Sequence, residues 1–186
     1  CTPTTTHVLR GYDVALCFEC NKKSNTRFKE AGFKHEPVLK NDCLACHKQH
    51  GLLPRLSLKA PTGELCLSCH ADIPRGPNTH NPVAGGKCLH CHDAHVSEGK
   101  GLIDNNKKCV SCHERVAKSL ELPHVHPYIS DGKCVTCHNP HGDQSGGMLK
   151  KAMPDVWISC HAFNDDLAKK HSGQKIESGN CLTCHA

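Results

Sequence analysis

The chain has 186 residues, of which 37% are hydrophobic and 4% aromatic, so its side chains supply too little apolar volume for an ordinary core. Sixteen cysteines and 17 histidines stand out, and this density of cysteine indicates a disulfide scaffold, metal sites or covalently bound cofactors. The net charge of +5 comes from scattered Lys and Arg residues without a basic run, which argues against a nucleic-acid-binding protein.

The first segment predicts a membrane tether. The chain starts at Cys1, which is followed by the Thr-rich stretch TPTTT. A leading cysteine before a flexible polar spacer resembles the mature start of a bacterial lipoprotein, so we expect a lipid on Cys1. The alternative is a truncation that happens to start here. No run of 18 apolar residues occurs, so the sequence predicts no membrane-spanning helix.

The pentapeptide CxxCH dominates the rest of the chain. Intact copies stand at residues 43–47, 66–70, 88–92, 109–113, 134–138 and 181–185. Two further stretches differ from it by one letter. CFECN at 17–21 has Asn21 in place of the histidine, and WISCH at 157–161 has Trp157 in place of the first cysteine.

This spacing suits the covalent attachment of haem. Two thiols three positions apart reach the two vinyl groups and form thioethers, and the next residue points its imidazole at the iron. Zinc ribbons and thioredoxin-like pairs are the alternatives, but zinc does not need a histidine after every pair and a redox motif would occur once. The predicted thioether residues are Cys17, Cys20, Cys43, Cys46, Cys66, Cys69, Cys88, Cys91, Cys109, Cys112, Cys134, Cys137, Cys160, Cys181 and Cys184.

The motifs also follow a longer period. His35, His80, His126 and His171 open successive units at steps of 45, 46 and 45 residues. Each full unit contains the opening histidine, a turn with Pro or Gly, a first CxxCH, a histidine three places on, a linker and a second CxxCH. In this register CFECN is the second motif of an incomplete first unit.

We therefore predict one continuous haem-packed domain built from repeats. Its parts are a tether with a degenerate half-repeat at 1–30, two-haem repeats at 31–76, 77–122 and 123–168, and a half-repeat at 169–186. The expected fold is mostly irregular coil with short α-helices packed around the haems, and with little or no β-sheet. Each repeat packs its porphyrins mainly on its sequence neighbours.

This pattern resembles the doubled CXXCH motif family of multihaem c-type cytochromes over nearly all of residues 7 to 186. The resemblance implies an electron carrier with closely packed haems, in the periplasm or at the cell surface. The motifs are highly specific for haem and much less specific for a physiological role.

Histidines are numerous enough to supply two ligands to each iron. The proximal candidates are His47, His70, His92, His113, His138, His161 and His185. The distal candidates are His35, His50, His80, His95, His126, His141 and His171, with His7 and His124 as weaker ones. Seven of each predict seven bis-histidine irons. Because two nitrogen ligands fill both axial positions, such irons transfer electrons and are closed to substrates.

The two irregular motifs leave alternatives open. At WISCH we expect a haem held by a single thioether through Cys160, and the alternative is a lost site with a free thiol. A haem at CFECN would need a second donor such as His7, His124 or Lys22, or would be five-coordinate. The alternative is a haemless CxxC, oxidised to a disulfide in an oxidising compartment. The expected total is seven or eight haems c.

Electron transfer is the predicted function. We expect a redox protein as donor and another as acceptor, with attachment to the membrane through the lipid and self-association into a filament or a membrane-bound complex. An enzyme is the alternative: a multihaem reductase of a small inorganic oxyanion, with an open haem at Cys17 and Cys20. A haem-storage role is disfavoured because the predicted ligands are fully paired.

Overall fold

The computed structural model of the chain describes residues 17–19, 21–48, 57–73, 78–103, 107–143, 147–161 and 164–171. In these residues the backbone is mostly coil, interrupted by short helices and by two-residue strands. The predicted fold class, coil with short helices and little sheet, is confirmed. No helix in the described ranges has the length and apolar character needed to cross a bilayer.

The helices span four to nine residues, which is too short to be stable in isolation. The α-helices of the described part are α1 (Lys22–Glu30), α2 (Glu36–Leu39), α3 (Thr62–Leu67), α4 (Asn81–Ala84), α5 (Lys107–Val110), α6 (Glu114–Ser119), α7 (Pro127–Ser130), α8 (Asp155–Ile158) and α9 (Asp165–Lys170). The 3₁₀ helices are Cys43–Ala45, Cys88–His90 and Cys134–Thr136. The strands are β1 (Phe33–Lys34), β2 (Asn78–Thr79), β3 (Val96–Ser97) and β4 (Gly142–Asp143).

Local chemistry explains several helix starts. Pro37 and Pro127 stand in the first turns of α2 and α7, where a missing N–H removes no intrahelical bond. The Asp42 carboxylate accepts a hydrogen bond from the Ala45 amide at 3.0 Å and caps the first 3₁₀ helix. These starts follow the opening histidine or precede the first CxxCH, so they fix the entry of the chain into each repeat.

The chain divides into two compact units. The first unit comprises Cys1–Ala71 and Gly85–Ser119, and the second comprises Asp72–Ala84 and Leu120–Ala186. Each unit therefore combines segments that are distant in sequence. The repeat boundaries expected from the 45-residue period stay a prediction, because compactness reports packing and not sequence period.

In the first unit a small antiparallel sheet joins two repeats. β1 pairs with β3, and Lys34 lies opposite Val96. The ladder continues one residue further, where the His35 amide donates to the His95 carbonyl at 2.9 Å. The sheet therefore places the opening histidine of the first repeat beside the histidine that stands three places after the first CxxCH of the second repeat.

The second unit repeats this arrangement. β2 pairs with β4, and Thr79 lies opposite Gly142. The His80 amide donates to the His141 carbonyl at 3.3 Å. In both units the opening histidine of one repeat is thus joined to the histidine three places after the first CxxCH of the next repeat. This backbone pairing is a structural reason for both series of recurrent histidines.

A left-handed residue precedes the first CxxCH of each repeat. Asn41, Gly86 and Gly132 stand two places before the first cysteine and have φ of 56°, 64° and 69°. Asn and Gly are the residues that adopt this conformation at low cost. The chain therefore enters the three motifs through the same turn.

Very little of the polypeptide is buried. Among the described apolar residues only Ala31 and Val96 are buried. Large apolar side chains that remain exposed are Phe33, Leu39, Leu89, Val116, Leu120, Leu122, Tyr128, Ile129, Val135 and Ile158. Leu89 and Val135 belong to CxxCH motifs themselves. The apolar surface left open beside the motifs fits the predicted packing against porphyrin faces.

Two glycines bring a second motif close to the next first motif in the first unit. A Cβ added to Gly63 in α3 would lie 2.8 Å from the Cα of Gly86, nearer than real Cβ atoms approach a backbone. Gly86 is the left-handed residue before Cys88. This contact therefore determines how closely the segment before the motif at 66–70 packs against the segment before the motif at 88–92.

Replacing Gly63 with alanine is expected to lower the free energy of unfolding by about 1–3 kcal/mol, because the methyl group overlaps the Gly86 backbone. The measurement is thermal unfolding of the holoprotein, followed by circular dichroism. Gly32 is the matched control, since a Cβ there meets its nearest atom at 3.6 Å. Gly32→Ala is expected to be neutral or to stabilise by about 0.4–1 kcal/mol. Equal losses in both variants would contradict the close contact.

Candidate haem-binding sites

One backbone turn closes every described motif. In the five intact copies that the structure describes, the amide of the histidine donates to the carbonyl of the first cysteine, four residues back, at 3.0 Å. Residues at positions i, i+3 and i+4 of such a turn share one face. The turn therefore presents two thiols and an imidazole on the same side, as haem attachment requires.

Backbone carbonyls hold the proximal histidines of the first motifs in the second and third repeats. Nδ1 of His92 lies 2.7 Å from the Gly101 oxygen, and Nδ1 of His138 lies 3.1 Å from the Gly147 oxygen. Both acceptors stand nine residues after the histidine. In the first repeat Nδ1 of His47 is buried and makes no hydrogen bond.

A left-handed turn presents these carbonyls. Gly101 and Leu102 have φ of 75° and 60°, and Gly147 and Met148 have φ of 68° and 53°. Two successive residues of positive φ are typical of a type I′ turn. Met148 thus belongs to a turn that supports a histidine.

Carbonyls also orient the opening histidines. Nδ1 of His35 lies 3.0 Å from the Ala94 oxygen, and Nδ1 of His80 lies 3.1 Å from the Pro140 oxygen. In each case the acceptor residue directly precedes the histidine whose carbonyl accepts the backbone hydrogen bond at the end of the small sheet. His171 uses a carbonyl of its own helix α9, at 2.8 Å.

These contacts decide which ring nitrogen is left for a metal. A carbonyl oxygen only accepts hydrogen bonds, so Nδ1 of each of these rings carries the proton. Nε2 is then an unprotonated donor. A metal-ligating histidine commonly gives its second N–H to a carbonyl or carboxylate in this way, which fixes the tautomer and the ring direction.

Imidazole rings approach one another in pairs. Pairs in the described residues include His47 with His95, His35 with His70, and His126 with His161. Each joins a predicted proximal ligand to a predicted distal one. An opening histidine meets the second-motif histidine of its own repeat, and His47 meets its partner from the next repeat.

The spacing of the pairs fits one iron between two rings. The ring centres lie 6.0 Å apart in the first two pairs and 6.1 Å apart in the third. Two imidazoles that bind a metal from opposite sides, each through a nitrogen about 2 Å from the ion, have centres roughly 6 Å apart. Across the described ranges no three His, Cys, Asp or Glu side chains converge as a simple metal site requires.

The pairs differ in the angle between the ring planes. The planes of His47 and His95 are nearly parallel at 3°, whereas those of His126 and His161 stand at 72°. Burial lowers the pKa of His47 and of His95, so both rings favour the neutral form that binds a metal. Phe28 of α1 stacks on His95 with 5.2 Å between centroids.

Thiols of neighbouring motifs affect one another in the first unit. Burial raises the pKa of Cys43, Cys46 and Cys66, and the neighbouring thiols of Cys17, Cys69 and Cys88 respectively raise it further. Burial, reinforced by Cys88, raises the pKa of the Cys66 thiol to about 11. The thiol of one motif thus adjoins the thiol of the next, and the attachment edges of successive haems would be adjacent.

The irregular motif at 157–161 keeps the turn. The His161 amide donates to the Trp157 carbonyl at 2.8 Å, as the other histidines do to cysteine. The Trp157 ring lies 6.1 Å from the His161 ring, and Cys160 is an exposed thiol. One thiol and a paired histidine are therefore placed as in a complete motif.

CFECN keeps the turn and loses the ligand. The Asn21 amide donates to the Cys17 carbonyl at 3.1 Å, and its side-chain amide donates to the same oxygen at 2.8 Å. Asn21 also stands at the start of α1. Its side chain is therefore turned back onto its own backbone and is not presented as an iron ligand. The contact of Cys17 with Cys43 mirrors that of Cys66 with Cys88, which supports the predicted register.

Several predicted site residues lie outside the described residues. These are Cys1, His7, Cys20, His50, Cys181, Cys184 and His185. His124 is described and exposed, two residues before His126. The backbone acceptors at Ala94, Gly101 and Gly147 were not predicted from sequence, although a glycine nine residues after the proximal histidine in two repeats is a signal for the last two.

Comparison with protein families finds the doubled CXXCH motif at residues 35–74, 80–118 and 126–166. The matched ranges begin at His35, His80 and His126, the opening histidines, and together cover more than half of the chain. No curated protein and no solved structure matches the chain. The motifs imply covalently bound haem c.

The ring angles predict two kinds of ferric signal. Parallel imidazoles interact with the same iron d orbital and split the two π-type orbitals, whereas perpendicular ones leave these nearly equal in energy. We therefore expect one strongly anisotropic low-spin EPR signal from the His126 and His161 pair, beside rhombic signals from the parallel pairs. His126→Ala should abolish that signal and create one high-spin iron. His124→Ala, the control, should leave the strongly anisotropic signal unchanged; loss of the signal in that variant would contradict the assignment.

Proposed function

Because the chain belongs to the doubled CXXCH motif family of multihaem c-type cytochromes, we propose that it relays single electrons along seven or eight closely spaced haems, most of them with two histidine ligands. When bound, haem c supplies a reversible one-electron change between Fe(III) and Fe(II). The polypeptide attaches, spaces and ligates it. The family is that of an electron carrier, and the proposal adds the number and the ligation of the haems.

The paired histidines are the observation that carries this proposal. Ring centres 6.0–6.1 Å apart, one ring from each ligand series, support two nitrogen ligands on one iron. An iron with both axial positions filled has no site for a substrate, so electron transfer without bond chemistry fits it best. Two imidazoles also favour a lower potential than a His/Met pair.

The thiol contacts suggest an order for the relay in the first unit. The motif at 43–47 adjoins both the motif at 17–21 and the motif at 66–70, which in turn adjoins the motif at 88–92. We propose that electrons follow this order. The contact of Gly63 with Gly86 keeps the last two motifs close.

The incomplete motif at CFECN lies at one end of this order. Asn21 supplies no ligand, so a haem there would depend on a donor from elsewhere. Such a site suits an entry or exit point, or a junction at which a second copy of the chain completes the ligand set. We propose this role for Cys17 and Cys20 in preference to a catalytic one.

Location and partners extend the proposal. We propose a periplasmic or cell-surface protein that takes electrons from one redox protein and gives them to another. Attachment to the membrane through Cys1, and assembly into a filament or a membrane-bound complex, remain part of this hypothesis. The haem load supports it, because a chain that carries many irons suits transfer over distance more than storage.

The decisive test is the spin state and ligand reactivity of the isolated holoprotein. We expect the visible and EPR spectra of the oxidised form to show low-spin iron at every histidine pair, with no change on addition of nitrite, cyanide or CO. Full reduction should be reversible. One high-spin centre that binds nitrite would instead support a reductase. The intact mass distinguishes seven haems from eight and reveals any lipid on Cys1.

The motif at 157–161 allows a separate prediction. Cys160→Ala is expected to remove one haem from the intact mass, because its thiol is the single thioether donor of that motif. Trp157→Cys should leave the haem count unchanged and shift part of the pyridine haemochrome band to shorter wavelength, since a second vinyl group is consumed. An unchanged number of haems in Cys160→Ala would show that the motif carries no haem.

A further inference from the structure

A single carboxylate stands beside one histidine pair. Asp93 lies directly after the proximal His92, and its Oδ1 is 3.8 Å from Nδ1 of His95. The same oxygen accepts hydrogen bonds from the amides of His95 at 2.9 Å and Val96 at 3.3 Å. The carboxylate is therefore fixed by the backbone next to a predicted iron ligand.

An arginine from another part of the chain meets this carboxylate. Arg27 of α1 donates from a guanidinium nitrogen to Oδ2 of Asp93 and to the Val96 carbonyl. The Asp93 side chain is 24% exposed and the Arg27 side chain is 51% exposed. The negative charge is thus largely shielded from water, and the positive charge that balances it is more open to solvent.

The other repeats provide the comparison. In the third repeat Asn139 occupies the position of Asp93, and its Oδ1 accepts the His141 amide at 3.2 Å. An amide therefore makes the same turn without a charge. In the first repeat the position is Lys48. An amide oxygen makes this turn as well as a carboxylate does, so the turn itself does not require the charge of Asp93.

We propose that Asp93 is a positioning residue that lowers the reduction potential of the iron held by His47 and His95, and that Arg27 limits this effect. At 3.8 Å the carboxylate does not hydrogen-bond the ring of His95, but its negative charge stabilises Fe(III) over Fe(II) through space. This inference rests on the proposed ligation by His47 and His95. Asp93 would make this centre harder to reduce than it would be with asparagine, the residue that the third repeat has at this position.

The two partners are expected to act in opposite directions. Asp93→Asn keeps the turn and removes the charge, so one centre should become easier to reduce. Arg27→Gln leaves the carboxylate unbalanced, so the same centre should become harder to reduce. The double variant should resemble Asp93→Asn. A purely structural role, such as anchoring α1, would move both single variants in the same direction.

Spectroelectrochemical titration of the holoprotein tests whether the two single variants shift one reduction potential in opposite directions. We expect each single variant to change the Fe(II) to Fe(III) ratio of one centre by about tenfold at fixed potential, which corresponds to 59 mV for one electron. The other centres should move less. Glu121→Gln, an exposed residue elsewhere in the chain, is the control for net charge and should leave the curve unchanged. Shifts of the same sign, or no shift, in the two single variants would overturn the proposal.

A gain-of-charge variant keeps the test independent of the folding of Asp93→Asn. Asn139→Asp places a carboxylate at the same turn in the third repeat, and one centre should become harder to reduce. If neither it nor Arg27→Gln shifts a centre, the proposal is wrong. His95→Ala separates this from failure of the ligation: it should convert one low-spin iron to high spin. Intact low-spin spectra in His95→Ala would remove the assignment on which the proposal depends.

Discussion

The pairing of histidines from different segments, which we propose ligate iron together, is the constraint on which the structure depends. In the described residues the polypeptide buries only two apolar side chains, so it has no core that would hold its short helices in place. The histidine pairs, at 6.0–6.1 Å, connect a motif with an opening histidine or with the next repeat. Under the proposed ligation, haem binding would supply much of the free energy of folding, as a bound metal does in other small proteins.

The backbone around the motifs serves this ligation. Two-residue strands align an opening histidine with the histidine of a following repeat, and the carbonyl beside each pairing orients a ring. Left-handed turns at Gly101 and Gly147 supply the acceptors for two proximal histidines. Because each of these devices uses main-chain atoms, the repeats tolerate different side chains while keeping the same ligand directions.

The departures from the repeat give its sites different properties. Trp157 replaces a thiol, Asn21 replaces a ligand, and Asp93 adds a charge next to one. None of them alters the turn that closes the motif. Substitutions that preserve the backbone would let the centres of the proposed relay differ in potential while the repeat keeps its fold.

The sequence by itself determined the haem motifs, the repeat period and the two histidine series, because covalent attachment and ligation demand fixed residue types at fixed short spacings. It also predicted a coil-rich fold, since the apolar content is low and the linkers are rich in Gly and Pro. Only the tertiary structure decided that His47 faces His95 and that Arg27 reaches Asp93, 66 residues away. Such pairings depend on how distant segments meet, and no local pattern encodes them. The carbonyl acceptor at Ala94 is likewise invisible in sequence, because every residue carries a carbonyl.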